Sequence, residues 1–257
     1  PVRDYYWELE KENSKDFNIG IYFEYLPTGA NITINNDLRV WPASLTKLPL
    51  AMVVMKKIEM KEWAQDDQLV LLEEDLDNKS GDLYLNNSVG TIFTIEELLK
   101  KLLIDSDNTS YKILYRNIAE SDYQRLIHSI GLEELFSSEG KISPKEYARL
   151  LRSLYYSTFL EADSSQKILE LLTEATYVNF LSRGLPKEIK FAHKYGENLE
   201  FKVFSDFGIV YIKDRPYILA VSIQYEDSKF SQEELIERVD ELMTKISQTA
   251  YEYVKNN

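Results

Sequence analysis

Residues 41–50 read Trp41-Pro42-Ala43-Ser44-Leu45-Thr46-Lys47-Leu48-Pro49-Leu50, and an apolar run, 51–55, follows them. The pattern predicts a loop and then Ser44 at the mouth of a helix that is apolar nearly all round and therefore buried. Ser44 and Lys47 are three residues apart, so they share a helix face and the amine can reach the hydroxyl. Unpaired N–H groups at the helix start would stabilise an oxyanion beside Ser44. The stretch therefore predicts a serine nucleophile with a lysine partner.

Ser44 also has a simpler interpretation, because serine is favoured at helix N-caps whether or not it reacts. The pattern Ser-x-x-Lys recurs at Ser138/Lys141 and Ser164/Lys167, so the spacing alone does not identify a site. Whether Ser44 is a nucleophile or only a helix cap therefore depends on the other motifs of the chain.

The composition is that of a folded globular protein of one large domain or two interleaved lobes, with 257 residues of which 44% are hydrophobic. The formal net charge of -13 argues against nucleic acid or an anionic membrane as the main partner, because both require basic patches. The absence of cysteine excludes disulfides and thiol catalysis. The chain has two histidines, His128 and His193, so we expect no histidine-rich metal cluster. We also expect no cofactor.

Strand patterns occur at both ends of the chain and helical patterns occupy the middle. The predicted strands are 19–26 and 32–34, which form a hairpin about the turn 27–30, and 188–193, 207–212 and 217–223. The predicted helices are 4–16, with Tyr5, Trp7 and Leu9 as apolar contacts, the Ser44 helix, 165–173, and three that begin with capping boxes at Thr94, Ser143 and Ser231.

These elements predict an α+β fold with an antiparallel β-sheet formed from the N- and C-terminal segments, flanked by helices, and with an inserted all-helical lobe. The expected domains are an α/β lobe of residues 1–40 and 188–257 and a helical lobe of residues 41–187. The apolar stripe of the last helix, which contains Leu235, Val239 and Leu242, is predicted to pack in the core.

Two more triplets follow Ser44 along the chain. Ser106-Asp107-Asn108 comes after a predicted helix, and Lys194-Tyr195-Gly196 ends the strand predicted at 188–193. In this order Ser-x-x-Lys, Ser-Asp-Asn and Lys-x-Gly resemble the signature of the penicillin-recognising serine enzymes, which include class A β-lactamases and penicillin-binding proteins. Residues 18–55, 183–187 and 205–211 also resemble stretches of the class A β-lactamase-like serine hydrolases, so the resemblance covers most of the chain. The resemblance implies the β-lactamase/transpeptidase-like fold, with the active site between the lobes.

The resemblance implies four catalytic residues. Ser44 would attack the carbonyl of a β-lactam or a D-Ala-D-Ala-type peptide and form an acyl-enzyme. Lys47 would help to remove the proton of Ser44, and Lys194 would favour a neutral Lys47 through like-charge repulsion. Ser106 would relay a proton to the leaving nitrogen. Asp107 is expected to hold its loop together.

The resemblance also implies a substrate-binding set. Asn108 would bind the substrate's side-chain amide, and Lys194 would attract its carboxylate. Tyr195, Gly196 and Glu197 follow in the third motif, and the backbone N–H groups of Ser44 and Glu197 would form the oxyanion hole.

The implied partner is a small-molecule β-lactam or a peptidoglycan peptide. No nucleic acid and no metal are expected to bind, and the protein is expected to be a monomer. The implied location is extracytoplasmic, whether secreted, periplasmic or membrane-anchored. No apolar run is long enough to span a bilayer and no signal-peptide pattern is visible. The chain opens on Pro1 rather than Met, which is compatible with a signal or anchor that has been removed.

Three departures from the family pattern predict weak turnover of β-lactams. The segment 131–143 lacks the Glu-x-x-Leu-Asn pattern of the deacylating glutamate, and its acidic residues, Glu133, Glu134 and Glu139, are predicted to be solvated charges. Tyr195 replaces the usual small hydroxyl residue of the third motif. Glu197 puts a negative charge near the expected carboxylate.

Three functions therefore stay open: a slowly deacylating β-lactamase-like hydrolase, a D,D-peptidase acting on peptidoglycan stem peptides, and a non-catalytic ligand-binding relative. A Ser-His-Asp hydrolase is a weaker rival, because no Gly-x-Ser-x-Gly elbow occurs. His193 is expected to line the same cleft as Lys194, and His128 to be a packed structural histidine.

Overall fold

The computed structural model describes residues 2–132, 135, 137–225 and 230–257, and the contacts between residues divide the chain into two units. The sheet unit comprises Pro1–Ala43, Leu135–Leu151 and Tyr177–Asn257. The helical unit comprises Ser44–Glu134 and Arg152–Thr176. The division predicted at residues 40/41 and 187/188 stays a prediction.

The sheet unit is built on five strands. They are β1 (Phe17–Tyr25), β2 (Ala30–Ile34), β5 (Lys190–Asn198), β6 (Val203–Tyr211) and β7 (Tyr217–Tyr225). Their order across the sheet is β2-β1-β7-β6-β5, and every neighbouring pair is antiparallel. The N-terminal hairpin therefore pairs with the C-terminal strands, which confirms the predicted α+β fold and its antiparallel sheet.

Two helices of the sheet unit, α1 (Val2–Asn13) and α9 (Gln232–Asn256), contribute to one apolar core with the sheet. The Ser231 side chain caps α9 by accepting a hydrogen bond from the Glu234 N–H. Leu235, Val239 and Leu242 are buried in this core, so the predicted apolar stripe is confirmed.

The predicted contact face of α1 is partly wrong. Trp7 is 58% exposed, whereas Tyr6 is fully buried and donates a hydrogen bond from its hydroxyl to the Ile246 carbonyl at 2.9 Å. The buried residues Val2, Tyr6 and Leu9 are spaced by four and three, so they lie on one helix face and Trp7 lies to its side.

The helical unit is organised around α2 (Lys47–Glu59), whose residues from Lys47 to Met55 are all buried, as predicted. Among the described residues, the helices that pack most extensively against it are α4 (Ile95–Ile104), α5 (Asn108–Tyr115), α6 (Glu120–Ser129) and α8 (Ala162–Thr173). The short α3 (Leu83–Asn86) also belongs to this unit, whereas α7 (Pro144–Tyr155) begins in the sheet unit and has only its residues from Arg152 onward in the helical unit. The capping boxes predicted at Thr94 and Ser143 are both formed.

Two predictions for the helical region are wrong. The lobe is not all-helical, because β3 (Gln68–Val70) and β4 (Ile92–Thr94) pair as a small antiparallel sheet. Each strand has three residues, which is too short for an alternating pattern to show in the sequence. His128 is exposed rather than packed, since α6 buries Asp122, Leu126 and Ile127 instead.

The third motif lies inside a strand rather than at its end. β5 continues through Lys194, Tyr195, Gly196 and Glu197 to Asn198, because these residues stay paired with β6, from Lys194 opposite Phe207 to Asn198 opposite Val203. Within the described ranges, no helix has the length and apolar character needed to cross a membrane.

Candidate active site

Ser44 lies in a single 3-10 turn, Ala43–Thr46, that leads into α2, so the predicted α-helical mouth is a tighter turn. Thr46, not Ser44, occupies the N-cap of α2, and it makes no side-chain cap bond. The half-buried Ser44 hydroxyl instead lies 2.8 Å from Lys47 Nζ. The interpretation of Ser44 as only an N-cap of α2 is therefore wrong.

Two backbone positions beside the cluster are strained. Ala43, directly before Ser44, has φ +47°, and Ser106 has φ +55°. Non-glycine residues in this left-handed region cost about 1–3 kcal/mol each and concentrate at functional sites. The strain at Ser106 has a local use, because both its carbonyl oxygen and its hydroxyl reach the same ammonium group, that of Lys47.

Lys47 Nζ is the centre of the cluster. It contacts Ser44 Oγ at 2.8 Å, the Ser106 carbonyl at 2.7 Å, Ser106 Oγ at 3.2 Å and Asn108 Oδ1 at 2.6 Å. The four oxygens belong to hydroxyl, carbonyl and amide groups, none of which carries a formal charge. The structure thus brings together four of the predicted site residues: Ser44, Lys47, Ser106 and Asn108.

Burial sets the protonation of this lysine. The Lys47 side chain is 2% exposed, and burial lowers its pKa to about 8, against the opposing charges of Asp107 and Asp77. At neutral pH a usable fraction of Lys47 is therefore an amine that can accept the proton of Ser44.

Asp107 positions the loop that carries Ser106 and Asn108. One carboxylate oxygen accepts from the Ser110 N–H at 2.7 Å and caps α5, and the other accepts from the Leu83 N–H at 3.0 Å. The prediction that Asp107 holds its loop together is confirmed. Its full burial raises its pKa, against these backbone hydrogen bonds.

Sequence reasoning missed two residues of this cluster. Asp77 Oδ1 accepts from Asn108 Nδ2 at 3.0 Å, and the Ser80 hydroxyl donates to the Ser106 carbonyl at 2.9 Å. Both residues belong to the stretch 77–81, Asp-Asn-Lys-Ser-Gly, whose composition predicts a turn but carries no catalytic motif.

The other four predicted site residues, Lys194, Tyr195, Gly196 and Glu197, lie on β5 of the sheet unit. The Lys194 ammonium lies 4.5 Å from the centre of the Tyr195 ring and donates to the Tyr195 carbonyl at 3.1 Å. The Tyr177 ring stacks on the Tyr195 ring, with the ring centres 3.8 Å apart. Glu197 is exposed. The third-motif lysine is thus associated with an aromatic pair that the sequence did not indicate.

A Ser-His-Asp array occurs elsewhere in the sheet unit. His193 Nδ1 lies 2.8 Å from Asp206 Oδ1, and His193 Nε2 lies 3.2 Å from Ser182 Oγ. Asp206 Oδ2 also accepts from the Leu181 N–H, and the His193 ring stacks on Phe191. His193 is 3% exposed, so the hydrogen bonds of this array connect β5 to the turn 180–184 in the interior of the protein.

One of the three acidic residues considered for deacylation lies within the described residues. Glu139 is exposed and pairs with Lys141 at 2.8 Å, as expected for a solvated charge. Glu133 and Glu134 lie outside the described residues.

Comparison with curated proteins finds no match. Solved structures show the same fold. PBP-A has a TM-score of 0.85 and 20% identity, covering 100% of this chain and 98% of that one. A mutant of PBP-A, solved as an acyl-enzyme with penicillin G, has a TM-score of 0.83 and 20% identity, covering 98% and 96%. An ancestral class A beta-lactamase, GNCA, has a TM-score of 0.84 and 21% identity, covering 98% and 100%.

A sequence model of the beta-lactamase enzyme family, Beta-lactamase2, matches residues 3–254, which is nearly the whole chain. The first two signature motifs meet at Lys47, and the fold is that of class A beta-lactamases and PBP-A. This chain therefore belongs to the beta-lactamase enzyme family.

Proposed function

We propose that this protein is a serine acyl-transfer enzyme that is acylated at Ser44 by β-lactams or by peptides of the D-Ala-D-Ala type. One observation carries the proposal: the Ser44 hydroxyl lies 2.8 Å from an amine whose pKa burial has lowered to about 8. A hydroxyl beside a lysine of ordinary pKa would have no base at neutral pH.

The acylation step uses only groups of the helical unit to move the proton. Neutral Lys47 accepts the Ser44 proton while Ser44 Oγ forms a bond to the substrate carbonyl carbon, which leaves a tetrahedral oxyanion. The C–N bond then breaks, and the proton returns from Lys47 to the leaving nitrogen through Ser106 Oγ, which lies 3.2 Å from Lys47 Nζ. The product is an ester of Ser44 and a free amine, so atoms and charge balance.

We infer that hydrolysis of this ester is slow. Water attack needs a base, and among the residues that the structure describes, the carboxylates in the hydrogen-bond network of the cluster are Asp77 and Asp107. Asp77 bonds Asn108, and Asp107 bonds backbone N–H groups, so both are held by groups other than Ser44. The roles predicted for Lys194, Tyr195, Gly196 and Glu197 in binding the substrate carboxylate stay proposals, as do monomeric state and extracytoplasmic location.

Incubation with a fluorescent penicillin tests the proposal. We expect one covalent adduct per chain by intact mass, located on the Ser44 peptide and persisting after free reagent is removed. Ser44→Ala should lose the adduct completely, whereas Ser182→Ala, which removes the serine of the buried array, should keep it. An unlabelled wild type, or a label on Ser182, would refute the proposal.

Release of D-alanine from a peptide ending in D-Ala-D-Ala separates the two substrate classes. The same acylation residues serve both, and slow hydrolysis of lactams favours testing the peptide. A protein that labels with penicillin but releases no D-alanine at any pH is a lactam-reactive enzyme only.

Acylation should depend on pH through Lys47. The pKa of about 8 is lower than the ordinary value, so the neutral fraction is about a tenth at pH 7 and about nine tenths at pH 9. We therefore expect the second-order acylation rate to rise about tenfold between pH 7 and pH 9 and then to level off. A rate that is constant over this range would show that Lys47 is not the titrating base.

A further inference from the structure

Asn108 is bonded through both ends of its side-chain amide. Its Oδ1 accepts from Lys47 Nζ at 2.6 Å, and its Nδ2 donates to Asp77 Oδ1 at 3.0 Å. A carboxylate can only accept, and an ammonium group can only donate. A rotated amide would place its nitrogen against Lys47 and its oxygen against Asp77, so the pair of neighbours permits a single orientation.

Asp77 is itself held firmly. Its Oδ1 also accepts from the Lys79 N–H at 3.0 Å, and its Oδ2 pairs with Lys112 Nζ at 3.1 Å. Its backbone N–H donates to Thr109 Oγ1 at 3.1 Å, which connects the 77–81 turn to α5. Burial would raise the pKa of Asp77, but the hydrogen bonds from Asn108, Lys79 and Lys112 outweigh it and lower the pKa. Asp77 is therefore a carboxylate at neutral pH.

The orientation of Asn108 has a consequence for a ligand. An amide nitrogen carries two hydrogens, and within the described part of the chain Asp77 is the partner of Asn108 Nδ2. With Oδ1 committed to Lys47, the second N–H is the group that Asn108 can offer to a carbonyl. Without Asp77, only Lys47 would hold this orientation, and neutral Lys47, the form that acts as the base, can also accept a hydrogen bond, so Asn108 could then rotate and present an acceptor instead.

We propose that Asp77 is a positioning residue for acylation at Ser44: it fixes the Asn108 amide so that Oδ1 stays on Lys47 and an Nδ2–H donates to the substrate's side-chain carbonyl. This inference rests on the proposed function of Ser44. It assigns to a residue outside all three signature motifs a part in selecting substrates that carry an acylamino side chain.

Asp77 also acts on Lys47 through charge. In the described part of the chain, the charges of Asp107 and Asp77 act on Lys47, and both oppose the effect of burial on its pKa. Lys112 partly neutralises Asp77 from α5. Removing the negative charge of Asp77 should therefore lower the pKa of Lys47 further and move the acid limb of the acylation profile to lower pH.

Two variants separate these effects. Asp77→Asn keeps an oxygen for Asn108 but removes the charge, so the pH profile should shift to lower pH while substrate preference is retained. Asp77→Ala removes both, so benzylpenicillin, which has a side-chain amide, should acylate at least tenfold more slowly. 6-Aminopenicillanic acid, which lacks that amide, should change less than threefold. Asp82→Asn, which removes a carboxylate of the same loop that pairs with Lys101, is the control and should change neither readout.

The comparison between the two penicillins distinguishes positioning from a structural role. Equal losses for both reagents in Asp77→Ala, or no loss for either, would overturn the inference while wild-type labelling of Ser44 left the proposed function standing. If Asp77→Ala does not fold, Asp77→Leu, which also removes both carboxylate oxygens but keeps a side chain of similar length, takes its place, and equal losses for the two penicillins in that variant overturn the inference. Absence of labelling in the wild type would overturn the proposed function and this inference together.

Discussion

Lys47→Met should reduce acylation of Ser44 by about 10²–10⁴-fold, the range expected when a general base is removed. Methionine has nearly the length of lysine and suits the buried site, where the side chain is 2% exposed. The variant removes the amine 2.8 Å from Ser44 Oγ without removing the hydroxyl itself. The second-order rate of adduct formation, measured by intact mass at pH 8, checks this expectation.

The same variant should be as stable as the wild type or more stable, by up to about 3 kcal/mol. The pKa of Lys47 is lower in the folded protein than its ordinary value, so the buried ammonium is a cost below pH 8. That cost decreases as the pH rises from 8 towards 10.5, because Lys47 is then neutral in the folded protein and its charged form is no longer buried. Loss of the donor to Asn108 Oδ1 offsets part of the gain. Denaturation at pH 7 measures the difference.

Lys47→Arg distinguishes charge from basicity. Arginine keeps a positive charge but does not lose a proton at accessible pH, so it cannot act as a base. We expect this variant to be as slow as Lys47→Met. Retention of wild-type acylation rates in either variant would mean that another group removes the Ser44 proton.

Gly81→Ala should destabilise the protein by about 3–5 kcal/mol, the largest loss that we expect from adding one methyl group. Gly81 has φ +86°, and a Cβ at this position would lie 1.9 Å from Asp107 Oδ2 and 2.5 Å from the Asp107 Cα. The clash involves backbone, so it cannot be relieved by moving a flexible side chain. Because Asp107 positions its neighbours Ser106 and Asn108, the rate of acylation should fall as well.

Gly90→Ala is the matched control for this prediction. Gly90 has φ +93° in the same unit, but a Cβ there would have nothing within 4 Å. It should lose only the conformational part, about 1 kcal/mol. Equal losses for the two variants, measured by denaturant unfolding, would show that the contact with Asp107 is not what requires glycine at 81.

The parts of the site that the sequence predicts are those defined by short spacing. Ser44 and Lys47 are one turn apart, and Ser106 and Asn108 lie in one triplet, so local geometry alone brings each pair together. Asp77 was missed because it meets Asn108 through tertiary folding, 31 residues away in the chain. No periodicity or cap marks such a residue.

The errors in the fold prediction have the same origin. Pairing with β6 decides how far β5 extends, and Gly196 within it does not stop the strand as a local reading predicts. Burial of Tyr6 in place of Trp7 depends on the Ile246 carbonyl of α9, far along the chain. Local signals such as the capping boxes at Thr94 and Ser231 were read correctly, because donor and acceptor lie three residues apart.

The pairing of β1 with β7 constrains how the molecule is made. Phe17 lies opposite Tyr225, so the centre of the sheet joins segments separated by about 200 residues. Closing such a long loop is slow. During synthesis, β1 cannot pair with β7 until residues 217–225 have left the ribosome. The residues that form most of the helical unit, by contrast, are complete well before that point. Newly made chains therefore carry the nucleophile before they carry a finished sheet, and an apolar strand stays exposed to chaperones and aggregation in the interval.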